Sequence, residues 1–281
     1  MKNYIMLGMG YISGKHLRAI KETGGNLVAY HDIHDVVGHV DSMFIDAKYY
    51  PEFIHLDCFV DRFQASGKID YCVINLPNHL HNPAARWALN HGMDVIVEKP
   101  LVLYEKNLDD LAKVEARTGR KINTILQMRL HESAKKMRGA VSGVADVNIR
   151  YSTPRGLWFT QGSWKADPLK TGGLPTAIGI HLLDLCCVVF GNRKSFVVSK
   201  KTERRIEAHT SFEKAWVKWE LSIESDRPAE RLFRVDGADY DFTNGFTDLH
   251  TESYRKILSG EGFGIEDARE AVKLCEEIRN A

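Results

Sequence analysis

The 281-residue sequence has almost no surplus charge, few cysteines and no long apolar run. Lysine and arginine number 38 against 37 acidic residues, a net of +1, so no whole-protein field exists to hold nucleic acid or an anionic membrane, and neither is expected as a partner. Any anionic ligand must be met by local groups. The five cysteines, Cys58, Cys72, Cys186, Cys187 and Cys275, are odd in number and form no C-x-x-C, which supports neither a disulfide framework nor a zinc site. No uncharged apolar run approaches the ~18 residues of a membrane span. Met1-Lys2-Asn3 meets a glycine turn too soon for a signal peptide, and the sequence reads as cytoplasmic. Repeats, linkers and low-complexity tracts are also missing. What remains is ordinary globular composition, 44% hydrophobic and 27% charged, at a length that suggests two domains.

Up to about residue 127, strand and helix alternate. Tyr4-Ile5-Met6-Leu7 is a short apolar run ended by Gly8-Met9-Gly10, and Ser13 to Thr23 then carries Leu17 and Ile20 to a stop at Gly24-Gly25. Leu27-Val28-Ala29-Tyr30, Tyr71-Cys72-Val73-Ile74 and Val95-Ile96-Val97 are near-continuous apolar runs, as in strands buried on both faces of a parallel sheet. Between them, Asn82 is placed to cap a helix that has Pro83 in its first turn and closes at Gly92. The pattern predicts an α/β fold, a doubly wound Rossmann sheet over residues 1–127. From 128 to 281 the rhythm changes. Extended stretches at Val144 to Ser152, Lys194 to Lys200, Trp216 to Ile223 and Arg231 to Val235 predict an α+β domain with an open, mostly antiparallel sheet. An amphipathic helix from Glu266 to Asn280 closes the chain and is free to pack back on the first domain.

Gly8-x-Gly10 follows a strand and opens a helix. Gly8 suits the tight turn, Gly10 admits a pyrophosphate close to the backbone, and the helix N-terminus attracts its charge. Asp32, 19 residues beyond Ser13 at the end of the second strand, suits the adenosine ribose hydroxyls and repels a 2′-phosphate, which favours NAD over NADP. Pro77-Asn78-x-x-His81 and Glu98-Lys99-Pro100 both end strands, where open parallel sheets bind ligands. His31-Asp32-Ile33-His34-Asp35 has metal-like composition, but no further cluster has ligand spacing and no metal is expected.

These motifs, with Gly172-Gly173 to His181-x-x-Asp184 and Glu266-Asp267-Ala268-Arg269, resemble the Gfo/Idh/MocA oxidoreductase family over essentially the whole chain. More narrowly, Gly10-Tyr11-Ile12, Gln127-Met128-Arg129-Leu130-His131, Gly162-Ser163-Trp164-Lys165 and Phe246-Thr247-Asp248-Leu249-His250-Thr251 resemble the bacterial UDP-N-acetylglucosaminuronate 3-dehydrogenases of O-antigen (lipopolysaccharide) sugar synthesis. The resemblance implies NAD-dependent oxidation of the C3 hydroxyl of a UDP-linked N-acetyl hexuronic acid to a 3-keto sugar, with 2-oxoglutarate recycling a tightly held cofactor. It implies a cofactor set of Gly8, Gly10, Tyr11, Ile12, Asp32, Leu76, Asn78, His81, Glu98, Lys99 and Gln127. It also implies a homodimer or homotetramer formed through the open sheet face, to which Trp216, Trp219 and Leu221 are candidate contributors. One position departs from the family: Ala177 stands four residues before His181, where Asp or Asn is usual.

Oxidising a secondary alcohol needs a base for the hydroxyl proton and a cation beside the developing alkoxide. His181, with a reference pKa of ~6.5, accepts a proton near neutrality, whereas Lys99 at ~10.4 needs a depression of about three units, roughly 4 kcal/mol, to compete. His181 is therefore the expected base and Lys99 the ammonium, although lysine serves as base in a sufficiently apolar site. A helix from Pro175 to Phe190 is expected to set Ala177, His181 and Asp184 on one face, with Asp184 orienting its neighbours. A nucleotide sugar acid needs arginine or lysine donors and an aromatic surface. Arg129, His131, Arg155, Trp164 and Lys165 are the candidates, with Trp158 and Lys170 nearby, and Gln127 is placed to meet the nicotinamide amide. Two other readings stay open: another sugar or cyclitol dehydrogenase of the same family, and a non-catalytic NAD-binding regulatory protein, which Ala177 makes conceivable.

Overall fold

The computed structural model describes the chain apart from Thr160, Gly162 and the side chain of Trp158, so the expectations placed on Trp158 and Gly162 lie outside the described residues. Two compact units divide it. Met1–Val102, Lys106–Ile125 and His250–Asp267 form the first, and Leu103–Glu105, Leu126–Leu249 and Ala268–Ala281 the second. His250–Asp267 thus belongs to the first unit, although sequence continuity alone places it in the second.

The first unit is built on six parallel strands: β1 (Asn3–Leu7), β2 (Asn26–His31), β3 (Lys48–Tyr50), β4 (Tyr71–Ile74), β5 (Asp94–Val97) and β6 (Ile122–Thr124). Their order is β3-β2-β1-β4-β5-β6, so the winding direction reverses between β1 and β4, the place where doubly wound sheets open a crevice at their carboxyl ends. Of the runs read as buried on both faces, every residue of β4 is inside, while Val28 of β2 is half-buried. Tyr4 stacks on Tyr71 with ring centroids 5.2 Å apart, and Tyr254 and Ile257 of the late segment join the same cluster. The helix at Ala84 begins at His81 with Leu80 at its N-cap, so Asn82 lies inside it and its Oδ1 accepts from Arg86 Nε at 3.2 Å instead of capping. Gly92 ends that helix at a φ of +76°.

The second unit carries β7 (Ala145–Ser152), β8 (Arg193–Lys201), β9 (Arg205–Phe212), β10 (Ala215–Ser222), β11 (Glu230–Val235) and β12 (Ala238–Asp241), in the order β12-β11-β7-β10-β9-β8. All neighbours are antiparallel except β7 and β10. One face is packed: Val147, Ile149 and Tyr151 of β7 and Val217, Trp219 and Leu221 of β10 lie in a core with Leu183, Cys186, Phe190, Leu274 and Ile278. The period-2 pleat then settles which apolar residues face outward. Trp216 is 63% exposed, but Trp219 and Leu221 are on the packed side, with Trp219 Nε1 donating to Thr210 Oγ1 at 2.9 Å. Of the three residues expected on the open face, only Trp216 is there.

The expected helix from Pro175 to Phe190 is two helices, Gly173–Ala177 and Ile180–Phe190, and the chain turns by 46° between the stretches Pro168–Ala177 and Ile180–Phe190. Gly179 lies in the break. A Cβ there would stand 2.6 Å from the Pro175 carbonyl oxygen and 2.9 Å from Leu221, so the bend is packed tightly against the sheet by a residue without a side chain. Ala177 and His181 consequently belong to different helices. Among the described residues no single helix is long and apolar enough to cross a membrane.

Gly179→Ala is expected to lower the free energy of unfolding by about 1–3 kcal/mol in urea titrations, because the added methyl has nowhere to go. Gly143→Ala, where a Cβ meets nothing within 4 Å, should shift it by less than about 0.5 kcal/mol and serves as the control.

Candidate active site

At the carboxyl ends of β1 and β4, Gly8 adopts a φ of +87°, and a Cβ on it would lie 2.8 Å from the carbonyl oxygen of Asn75. Only glycine lets the two chains pass so closely. At Gly10 the situation is opposite, since a Cβ would meet no protein atom within 4 Å. Ser13 begins the following helix, and its hydroxyl donates to Gly10 O at 2.7 Å. Among the described residues the backbone N–H groups of Gly10, Tyr11 and Ile12 have no protein acceptor, Tyr11 is 97% exposed and Ile12 is half-buried. Asp32, at the end of β2, accepts from Met9 N at 2.6 Å on one oxygen and from His34 N at 2.8 Å on the other, which braces the glycine turn. Each oxygen keeps a second lone pair for a hydroxyl ligand. An open turn of unpaired N–H groups with a carboxylate beside it is the cradle a dinucleotide requires.

Two further groups stand at the tip of β4. Both polar atoms of the Asn75 side chain are buried without a partner, a group the sequence reading missed although an amide at the end of a parallel strand is a usable signal. Leu76 is half-buried and Asn78 buried. His81 is turned inward: its ring nitrogens face Pro100 O at 2.6 Å and Leu76 O at 2.8 Å. Burial holds its pKa below the ordinary value. The neutral ring donates one N–H and ties the β4 and β5 tips together, so it shapes the loops rather than reaching a ligand.

Glu98 was expected to touch cofactor, and its carboxylate instead points into the interior. Oε1 accepts from His16 Nε2 at 3.1 Å and from His250 Nε2 at 3.0 Å, while Oε2 accepts from the backbone N–H of Lys99 at 3.2 Å. Burial by itself raises the carboxyl pKa, but the hydrogen bonds from the two histidines outweigh it and hold Glu98 well below the usual carboxylate range. His16 is pushed down by burial, so it is neutral, with Nε2–H on Glu98 and Nδ1 accepting from the Tyr254 hydroxyl at 2.8 Å. The three ligand atoms lie within 4.8 Å of one another, a spacing a divalent ion could share. The hydrogen bonds account for the group without one. Coordinating an ion through His250 Nε2 would move the ring proton to Nδ1, which is buried with no acceptor. Lys99 itself is half-buried, directly after this anchored residue.

In the second unit, Gln127 is buried on a short helical turn with its Oε1 unpartnered. Arg129 was placed among substrate groups. Its guanidinium grips Asp184 in a bidentate pair, Nε to Oδ2 at 2.9 Å and Nη2 to Oδ1 at 2.6 Å, with both side chains buried. His131 is occupied as well, with Nε2 donating to Asn244 O at 2.7 Å and Nδ1 accepting from Ser133 N as the cap of the Glu132–Ala140 helix. Both therefore hold the fold. His181 is half-buried in the first turn of its helix, and Asp184 lies one turn further on. Arg155, Trp164 and Lys165 remain half-buried in the segment before these helices.

A family model described as an oxidoreductase family with an NAD-binding Rossmann fold (GFO_IDH_MocA) matches residues 2–125. Two solved structures of the WlbA (WbpB) dehydrogenase from Thermus thermophilus are similar to nearly the whole chain. One, in complex with NAD and UDP-GlcNAcA, is 39% identical with a TM-score of 0.95. The other, in complex with NAD and alpha-ketoglutarate, is 41% identical with a TM-score of 0.96, and each comparison covers 99% of this chain and 95% of the other. Among curated proteins, the uncharacterized oxidoreductase C115.03 of Schizosaccharomyces pombe is 30% identical over 156 residues, 52% of this chain and 41% of the relative. The match thus spans about two-fifths of that protein's length.

Glu98→Gln leaves two buried imidazole donors facing an amide, and should cost about 1–3 kcal/mol of stability at pH 7. A carboxylate with a depressed folded-state pKa stabilises above its unfolded value of ~4.3 and loses that contribution as the pH falls through the lower folded value. In chemical denaturation the gap between wild type and variant should therefore persist at pH 5 and close only in stronger acid.

Proposed function

The chain belongs to the Gfo/Idh/MocA family of oxidoreductases with an NAD-binding Rossmann fold, and from that footing we propose that it oxidises the C3 hydroxyl of a UDP-linked N-acetyl hexuronic acid to a 3-keto sugar. The observation that carries the reading is the full-length similarity, at 39% identity, to a dehydrogenase whose structure holds NAD and UDP-GlcNAcA. Its relative with alpha-ketoglutarate supports 2-oxoglutarate as the compound that reoxidises the cofactor. A place in the synthesis of cell-surface (O-antigen) sugars and a homo-oligomeric assembly complete the proposal.

The residues divide the work as follows. Gly8 and Gly10 admit the pyrophosphate to the backbone N–H groups, Asp32 takes the ribose hydroxyls, and Asn75, Asn78 and Gln127 offer amides to the remaining polar groups. Bound NAD supplies the hydride acceptor. His181 accepts the hydroxyl proton on its imidazole as the C3–H bond breaks, and the Lys99 ammonium hydrogen-bonds the oxygen as it gains charge. Ala177 contributes no polar side chain to that transfer. That same alanine favours the second reading, an NAD-binding regulatory protein that turns over no sugar.

Purified protein incubated with NAD, UDP-N-acetylglucosaminuronate and 2-oxoglutarate should yield a sugar nucleotide lighter by two hydrogens in mass spectra, together with 2-hydroxyglutarate. Lys99→Met and His181→Ala should each lower kcat by ~10²-fold or more with little change in NAD affinity. Near-normal turnover in either variant rejects the role given to that residue, and NAD binding with no turnover on any sugar selects the regulatory reading.

A further inference from the structure

Three cations of the second unit gather around aromatic rings. Arg231 on β11 is paired in register with Tyr151 on β7, and its guanidinium stands 5.6 Å from the Tyr151 ring centre and 5.2 Å from that of Phe246. Arg155, just beyond β7, lies 5.8 Å from the Phe159 ring, and Lys165 Nζ lies 5.9 Å from the same ring and 5.8 Å from Trp164. The three share one field. Burial raises the pKa of the Tyr151 hydroxyl while Arg231 and Arg155 both pull it back. Lys165 is lowered by burial first and by Arg155 second.

Several other arginines of this unit have carboxylates: Arg129 has Asp184, Arg150 has Glu230, Arg193 has Glu277, Arg205 has Glu207 and Glu220, and Arg234 has Asp239. Among the described residues neither Arg155 nor Arg231 has a carboxylate within ion-pair distance. Arg155 Nε is buried with no hydrogen-bond partner, and Arg231 is half-buried between two rings. Cations gathered in a partly desolvated place repel one another, and they do so less when an anion joins them. Flat rings beneath guanidinium groups hold the forks in place for a bidentate oxyanion.

We infer that Arg155, Lys165 and Arg231 form a subsite for an oxyanion of the substrate, with Arg231 as a specificity residue that no sequence motif marks. The inference rests on the proposed substrate in one respect: a UDP-linked hexuronic acid offers two such groups, its diphosphate and its sugar carboxylate.

The test is isothermal titration of the NAD-loaded protein, wild type and Arg231→Gln, with UDP, UDP-N-acetylglucosamine, UDP-N-acetylglucosaminuronate and inorganic pyrophosphate. The variant should bind the sugar acid about tenfold more weakly or worse, with NAD affinity within twofold, and Arg231→Lys should recover part of the loss. If the diphosphate is the group held, UDP, UDP-N-acetylglucosamine and pyrophosphate lose equally. If the carboxylate is held, only the sugar acid loses. Should Arg231→Gln not fold, Lys165→Gln must show the same pattern. Equal binding of all four compounds to wild type and variants overturns the subsite, as does failure of wild type to bind any of them. Pyrophosphate binding that depends on Arg231, with no uridine nucleotide bound, upholds the subsite and sinks the proposed substrate.

Discussion

Glu98 carries a negative charge into the interior of the first unit, and that charge is tolerable only because His16 and His250 each give it an N–H. The consequences spread along the chain. His16 sits on the helix that follows the glycine turn, His250 begins the late segment His250–Asp267, and the remaining oxygen of Glu98 accepts the backbone N–H of Lys99. One carboxylate thus ties two distant stretches to the tip of β5. Thr251 adds a second tie from its hydroxyl to Glu22 at 2.8 Å. The glycine turn and the lysine proposed for catalysis are thereby parts of one body, as a site that must be held to within fractions of an ångström requires.

Charge is handled differently in the second unit. Arg129 and Asp184 cancel each other's charge in a buried bidentate pair, a contact that fixes the turn after β6 against the His181 helix. Arg155 and Arg231, which among the described residues have no carboxylate within ion-pair distance, lie on aromatic rings. Sorting arginines by whether the fold has already compensated them separates scaffold from candidate site more sharply than residue type does, because a guanidinium held by a buried carboxylate has its charge cancelled.

The sequence made the parallel sheet readable because strands buried on both faces carry unbroken apolar runs. It also made the Gly8 turn readable, since a strand, a glycine pair and a helix start occur together. Other features were hidden for physical reasons. His16, Glu98 and His250 are separated by 82 and 152 residues, so no spacing rule brings them together. The bend at Gly179 depends on a carbonyl and on Leu221 of a strand far along the chain. Trp219 and Trp216 differ by three positions and so point to opposite faces of a strand, and composition alone says nothing of which face is packed. Arg129 and His131 looked like ligand groups because their residue types are right, and only tertiary partners reveal that Asp184, Asn244 and Ser133 occupy them.

Hydride transfer from the sugar's C3 is the claim on which the functional account stands, and isotope tracing reads it directly. UDP-N-acetylglucosaminuronate deuterated at C3 should lose its label on incubation with the protein, and the deuterium should be recovered in the nicotinamide ring, or at C2 of 2-hydroxyglutarate when 2-oxoglutarate is present. Retention of deuterium in the sugar while an oxidised product forms would contradict the account, because the bond broken would then lie at another carbon.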